Sequence, residues 1–302
     1  MEHRPVVAVV GATATGKSDL AIALAKRVDG EVVNADSMQL YRGMDIGTAK
    51  LTEAQWQGVP HHLLDIWDVR TPANVADYQR LARRAFADIR SRGRTPVLVG
   101  GSGLYVRAAL DDLAFPGTDP AVRARLEAEL VELGPAALHG RLAGRDPEAA
   151  GRILPSNGRR IVRALEVIEL TGGPFTAALP DPAYAVPATQ VGLTRDRANL
   201  EQRIEARVDR MWELGLVDEA RRLAGAGLRE GRTASAALGY AQVLRLLDGE
   251  WTEQRAREET VRATKRFARR QDSWFRRDPR ITWLAGDDPL LVESAVAAAV
   301  QH

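Results

Sequence analysis

The run Pro5-Val6-Val7-Ala8-Val9-Val10 leads into Gly11-Ala12-Thr13-Ala14-Thr15-Gly16-Lys17-Ser18, and this junction decides the fold. The short β-branched run reads as a strand, and the stretch from about Lys17 to Val28 reads as a helix. The eight residues from Gly11 to Ser18 satisfy G-x-x-x-x-G-K-[ST] in full, in the strand–loop–helix setting that the motif requires. Glycines let successive backbone N–H groups curl around a phosphate, and the helix N-terminus adds its positive end. The predicted phosphate contacts are therefore Gly11, Ala12, Thr13, Ala14, Thr15, Gly16, Lys17 and Ser18. Lys17 neutralises the outer phosphate, while the Ser18 hydroxyl is the candidate ligand for Mg²⁺. The motif does not choose its guest, because a nucleoside triphosphate and any other diphosphate with Mg²⁺ present the same oxygens.

Working outward, Glu31–Asn34 is a second short strand and Ala73–Ser91 a helix. Thr95–Val99 is another strand, closed by Gly100-Gly101-Ser102-Gly103. Strands alternating with helices predict a parallel sheet with helices on both faces. After Pro116 the pattern becomes helical, with pieces beginning at Asp119-Pro120 and near 135–143, 147–153 and 157–170. A strand returns at Thr189–Leu193, helices follow over 196–214 and 217–226, and a final helix at about 252–276 leads to a last strand at Ile281–Leu284. The expected fold is α/β: a P-loop-type parallel sheet core flanked by helices over 1–116 and 188–302, with an inserted all-helical domain over 117–187.

The composition is 45% hydrophobic and 27% charged, close to the globular average, which excludes a disordered or collagen-like chain. There is no cysteine, so disulfides, thiolate metal sites and cysteine nucleophiles are excluded as well. The apolar runs are too short to span a bilayer, and Met1–Pro5 leaves no room for a signal peptide before the first strand. A cytoplasmic protein without membrane contact is the expectation. Basic and acidic residues nearly balance, at 42 and 40, but from Arg255 to Arg280 there are ten basic residues and four acidic ones. Arg262, Arg266 and Arg270 form a stripe there, suited to phosphate, while Val261, Phe267 and Trp274 are expected to face the core. His61-His62 is not a metal spacing and is assigned to structure.

Asp36 follows Val32-Val33-Asn34-Ala35 and should emerge at the carboxyl end of a strand, where ligands bind in open parallel sheets. As a residue it fits a general base, a water-mediated Mg²⁺ ligand or a simple turn cap. The segment Asp36-Ser37-Met38-Gln39-Leu40-Tyr41-Arg42-Gly43-Met44-Asp45-Ile46-Gly47-Thr48-Ala49-Lys50, taken with the phosphate loop, resembles the tRNA dimethylallyltransferase (tRNA isopentenyltransferase) family. Similar blocks follow in order at Pro60–Asp65, Leu98–Tyr105, Arg160–Glu166, Arg203–Arg207 and Ala268–Arg276.

The resemblance implies transfer of a dimethylallyl group from dimethylallyl diphosphate to the exocyclic amine of the adenine 3′-adjacent to the anticodon in tRNA. It makes Asp36 the general base and assigns Lys17, Arg207 and Mg²⁺ near Ser18 to the departing diphosphate. It also places Ser102, where the family commonly has threonine, at the mouth of the site. Asp36, Ser37, Met38 and Gln39 would meet the extruded base and its neighbours; Arg123, Arg159, Arg160, Ile161, Val162, Arg163 and Gln271 would contact the tRNA. A monomer without an obligate protein partner is implied. Ala236, Ala237 and Ala241 depart from the family pattern, which puts RNA contacts there in doubt. The competing expectations are an isopentenyltransferase using free adenine nucleotides, a small-molecule kinase and a non-catalytic RNA-binding protein.

Overall fold

The computed structural model describes residues 4–176 and 179–300, so the expectation about Met1–Pro5 falls partly outside the described residues. In chain order the first half holds β1 (Val6–Gly11), α1 (Lys17–Arg27), β2 (Gly30–Asn34), β3 (His61–His62), α2 (Val75–Ser91), β4 (Thr95–Gly100) and α3 (Gly103–Leu110). Next come α4 (Pro120–Arg145), α5 (Pro147–Arg152) and α6 (Gly158–Thr171). The remainder is β5 (Ala188–Thr194), α7 (Arg197–Glu213), α8 (Leu216–Gly225), α9 (Tyr240–Leu247), α10 (Glu253–Phe275), β6 (Ile281–Ala285) and α11 (Leu291–Val300).

The strands form one parallel sheet in the order β3-β2-β4-β1-β5-β6. Every position of β1 is buried, as a strand covered on both faces must be. On one face Val7, Val9, Val97 and Val191 pack with Leu20 and Leu24 of α1 and with Ala295 and Ala299 of α11. Because β4 lies between β1 and β2, the carboxyl ends of these three strands stand side by side. The expected P-loop-type α/β architecture is the one observed.

The chain falls into two compact units, 1–112 with 182–302, and 113–181. Against the expected bounds of 117 and 187, the second unit also takes in 113–116, while 182–187 belong to the first. There the Asp112 N–H donates to the Ala183 carbonyl at 2.9 Å, and the Ala185 N–H donates to that of Leu110 at 2.8 Å. The last strand is also not the last element, since α11 follows it. On α10 the buried face is Ala256, Thr260, Ala263, Ala268, Gln271 and Phe275. Val261 and Phe267 are only half-buried and Trp274 is 37% exposed, because a six-and-seven spacing drifts off the face that contacts the core. None of the described helices is long and apolar enough to cross a membrane.

Within the helical unit, Leu126, Leu138, Leu142, Ile161, Val162 and Leu165 make a core of their own. Ile161 and Val162, named among the expected RNA contacts, are 0% and 2% exposed, so their side chains serve this core. Glu166, fully buried, accepts from both Arg123 and Arg163, and from the Asp119 N–H at 3.3 Å. Arg163 also caps the Pro116 and Gly117 carbonyls, at 2.6 and 3.0 Å. Burial opposes the Glu166 charge, but hydrogen bonds from Arg123 and then Arg163 outweigh it and leave its pKa lowered. A lowered folded pKa means this stability is complete above the unfolded value and is lost as pH falls through the folded one. Glu166→Ala should destabilise the helical unit by about 3 kcal/mol in denaturant unfolding at neutral pH. That difference from the parent should shrink on acidification below the ordinary glutamate range.

Candidate active site

The phosphate loop starts at Gly11, which adopts φ 135°; a Cβ there would lie 2.8 Å from the Leu193 carbonyl oxygen. Each of the next four residues is held by a basic side chain, Lys17 from the loop's own end and three arginines from beyond it. Lys17 Nζ donates to the Ala12 carbonyl at 2.5 Å, and Arg207 donates to Thr13 Oγ1 at 3.0 Å. Arg203 donates to the Ala14 carbonyl at 2.8 Å and Arg195 to that of Thr15 at 2.9 Å. Burial, followed by the nearby Arg207 charge, lowers the Lys17 pKa to about 7, against the pull of Asp36. Arg207 is itself lowered by burial and by Arg203, and is supported by Asp36 and Asp19.

Gln271, expected to touch RNA, is 6% exposed with both ends of its amide engaged. Its oxygen accepts from the Thr13 N–H and its nitrogen donates to the Gly101 carbonyl, each at 2.8 Å. It ties the loop after β1 to the loop after β4, a role that a glutamine on a basic helix does not advertise in sequence.

Asp36 stands at the end of β2 in a turn built by Asn34. Asn34 Oδ1 accepts from the Asp36 N–H at 2.8 Å, and Asp36 Oδ1 accepts from the Met38 N–H at 2.9 Å. Burial raises the Asp36 pKa, opposed by the Met38 N–H, Lys17, the Gln39 N–H and Arg207. The Ser102 hydroxyl, at the head of α3, accepts from the Ser37 N–H at 3.3 Å and lies 3.3 Å from the Ser37 hydroxyl. Lys50 closes the far end of this segment. Its side chain is 5% exposed and bridges Asp45, Asp65 and the Tyr41 carbonyl at 2.6, 2.5 and 3.0 Å.

Two cavities meet here. One, of about 870 Å³, is lined by the phosphate loop with Lys17, Ser18, Arg203, Arg207 and Arg210. The other, of about 610 Å³, is lined by Ser37, Met38, Ser102, Tyr105, Ala236, Ala237, Phe267 and Trp274. Thr13, Asp36, Thr48, Gly101, Arg207, Met211, Phe267 and Gln271 border both. Of the expected catalytic residues, Asp36 and Arg207 thus sit at the junction, Lys17 on the cationic side and Ser102 on the other. Gln39 lines the cationic cavity and donates to the Thr48 carbonyl at 3.1 Å.

Outside the second cavity a groove of about 460 Å³ is formed by Arg266, Arg269, Arg270, Ser273, Trp274 and Arg277. Arg262 of the predicted stripe is instead paired with Glu258 and Glu259. In the helical unit Arg159 and Arg160 are exposed, while the guanidinium groups of Arg123 and Arg163 are committed to Glu166. His61 stacks on Trp56 at 4.8 Å and His62 pairs with Glu31 at 2.6 Å, so both are structural.

Sequence reasoning missed Thr48, Met211, Phe267 and Trp274 as lining residues. For Arg203 a signal existed, since four-residue spacing places it on the same helical face as Arg207.

Among the described residues no group of three or more His, Asp or Glu side chains could hold a metal alone. The Ser18 hydroxyl has no protein hydrogen-bond partner among them and faces the cavity that Asp19 and Asp36 also line. That set of hard oxygen donors fits Mg²⁺ if phosphate oxygens and water complete the shell. Gln271→Leu should cost about 2 kcal/mol in denaturant unfolding, because the Thr13 N–H and Gly101 carbonyl lose their partners. It should also weaken binding of inorganic diphosphate, measured by calorimetry.

The family model described as IPP transferase matches residues 39–278. A tRNA dimethylallyltransferase of Thermobifida fusca (strain YX) is 68% identical, over 98% of this chain and 95% of its own. One of Salinispora arenicola (strain CNS-205) is 69% identical, over 97% and 86%. Among solved structures, the full-length tRNA isopentenylpyrophosphate transferase of Bacillus halodurans is 42% identical with a TM-score of 0.72, covering 97% of this chain and 95% of that one. A eukaryotic dimethylallyltransferase described as acting on tRNA is 25% identical with a TM-score of 0.82, covering 97% and 77%. With a phosphate loop and a buried carboxylate meeting between two cavities, and with relatives this similar along nearly their whole length, the chain belongs to the tRNA dimethylallyltransferase (IPP transferase) family.

Proposed function

We propose that this prenyltransferase moves a dimethylallyl group from dimethylallyl diphosphate to N6 of the adenine 3′-adjacent to the anticodon in tRNA, releasing diphosphate. The observation that carries the reading is the position of Asp36, at the junction between a cation-lined cavity and a second chamber with apolar and aromatic walls. Diphosphate and base then enter from opposite sides and meet at one carboxylate.

In the reaction the bond between the allylic carbon and the bridging diphosphate oxygen breaks, and N6 bonds to that carbon. Asp36 takes the N6 proton, and the electron pair of the broken bond leaves with diphosphate. A raised pKa makes Asp36 a stronger base than an exposed aspartate. Lys17, Arg207 and the loop N–H groups stabilise charge as it grows on the leaving oxygen. Ser18 would hold Mg²⁺ against the phosphate oxygens, where the ion supplies further charge neutralisation. The phosphate loop holds a leaving group here, so no phosphoryl transfer and no ATP are required.

The base must leave its stack in the anticodon loop to reach Asp36. Ser37, Met38 and Ser102 border the chamber it would enter, with Trp274 and Phe267 available for stacking. The groove of Arg266, Arg269, Arg270 and Arg277 at that mouth suits the RNA backbone, and exposed Arg159 and Arg160 on the helical unit offer further phosphate contacts. A free adenine nucleotide would need no such groove, which places that acceptor second. A tRNA substrate would be met in the cytoplasm.

The test mixes protein, Mg²⁺ and labelled dimethylallyl diphosphate with unmodified tRNA or with AMP, without ATP. Label entering tRNA alone supports the reading, whereas label in AMP alone overturns it. Asp36→Asn should lower turnover by about 10²–10⁴-fold in this assay while tRNA affinity in filter binding stays within about threefold. The Lys17 pKa of about 7 makes diphosphate binding proton-coupled. Near pH 8 the free site is largely deprotonated, and the arriving anion favours the charged ammonium. Calorimetry in buffers of different ionisation heat should show uptake approaching about one proton per site, absent in Lys17→Met.

A further inference from the structure

Glu219 on α8 is 2% exposed and, among the described residues, forms no ion pair. Its carboxylate instead accepts from three consecutive backbone N–H groups: Asp45 at 3.3 Å, Ile46 at 3.0 and 3.1 Å, and Gly47 at 3.3 Å. The fully buried Tyr240 of α9 donates its hydroxyl to the same carboxylate at 2.5 Å and accepts from the Gly47 N–H at 3.2 Å. A buried carboxylate without a counter-cation is tolerated only when its lone pairs are filled in this way. The segment is pressed against both helices, since a Cβ at Gly47 would lie 2.4 Å from the Tyr240 ring and 2.9 Å from Leu216.

Neither Glu219 nor Tyr240 lines either of the two cavities, but the segment they hold borders both. Asp45, Ile46, Thr48 and Ala49 line the cationic cavity, and Gly47 and Thr48 line the other. The Thr48 carbonyl accepts from Gln39, and Gln39 belongs to the turn whose Met38 N–H holds the Asp36 carboxylate. A continuous set of hydrogen bonds therefore runs from α8 and α9 through the loop backbone to the turn that carries Asp36.

We propose that Glu219 and Tyr240 are positioning residues for the transfer reaction: they clamp the Asp45–Gly47 backbone so that Thr48 and Gln39 hold the Asp36 turn in register with the phosphate loop. This rests on the reaction proposed above and adds residues that touch neither substrate.

The test uses Glu219→Gln, Tyr240→Phe and the double variant of the whole chain. Glu219→Gln keeps the shape but replaces one acceptor oxygen with a donor facing the same N–H groups. Each single change should lower kcat by about 10–100-fold, the effect of a slightly misplaced reacting group. KM for dimethylallyl diphosphate should stay within about threefold, because the Lys17 and Arg207 contacts are untouched. The double variant should lose little more than the worse single one, as expected of two groups sharing one clamp. Amide exchange at residues 45–47 should quicken by about tenfold or more in Glu219→Gln.

Ile89→Ala, a truncation in the buried face of α2, supplies the control for stability loss alone. Wild-type kcat in Glu219→Gln overturns the proposal. So does a loss no greater than that of Ile89→Ala at matched melting temperature. If the parent protein transfers nothing to tRNA, the reaction reading fails by itself, and the exchange data decide the clamp: unchanged protection at 45–47 overturns it.

Discussion

Lys17, Arg207, Arg203 and Arg195 reach successive oxygens of Ala12, Thr13, Ala14 and Thr15, and the rest of the site depends on this arrangement. Lys17, Arg203 and Arg207 line one cavity, where cations repel each other and lose hydration, so each needs an acceptor. The loop supplies these from its own carbonyl and hydroxyl oxygens. Burial first, and the Arg207 charge second, lower the Lys17 pKa to about 7. An anionic guest supplies the missing charge, which is why a cavity so lined suits a diphosphate. The same contacts fix α7 against the end of β1, because Arg203 and Arg207 are one helical turn apart.

Asp36 is the acidic counterpart at the junction of the two cavities, and its surroundings restrain it twice over. Burial pushes its pKa up, while N–H groups of its own turn and the charges of Lys17 and Arg207 pull it down. Its geometry comes from Asn34 and Met38 within the turn and, further out, from the hydrogen bonds leading to Glu219 and Tyr240. The site is therefore held from below by the sheet and from the side by α8 and α9. The C-terminal part of α10 adds Gln271, which joins two loops at the sheet's carboxyl edge.

Much of this was legible in the chain itself. The eight-residue motif, the strand before it and the helix after it announced the strand–loop–helix junction, since backbone curvature and helix polarity are local properties. Asp36 was legible through its place after a buried strand and through the specific block that follows it. The positions around 159–163 were only half legible. Arg159 and Arg160 are exposed, but Ile161 and Val162 form core and Arg163 serves Glu166, because consecutive helical residues point in different directions. Gln271 and Trp274 illustrate the same limit on α10, where the buried face was placed through Val261, Phe267 and Trp274 instead of through Gln271 and its small neighbours.

The amino-acid sequence by itself determined the α/β class, the phosphate loop, the carboxylate at the end of the second strand and the family, all of which rest on local pattern and on contiguous blocks. Only the tertiary structure decided that two cavities meet at Asp36, that Gln271 braces two loops, and that Glu219 and Tyr240 grip a segment more than 170 residues away. These pairings join residues distant in the chain through single hydrogen bonds. No periodicity or spacing encodes such a partner, because the distance between two side chains is set by how the sheet and its helices pack.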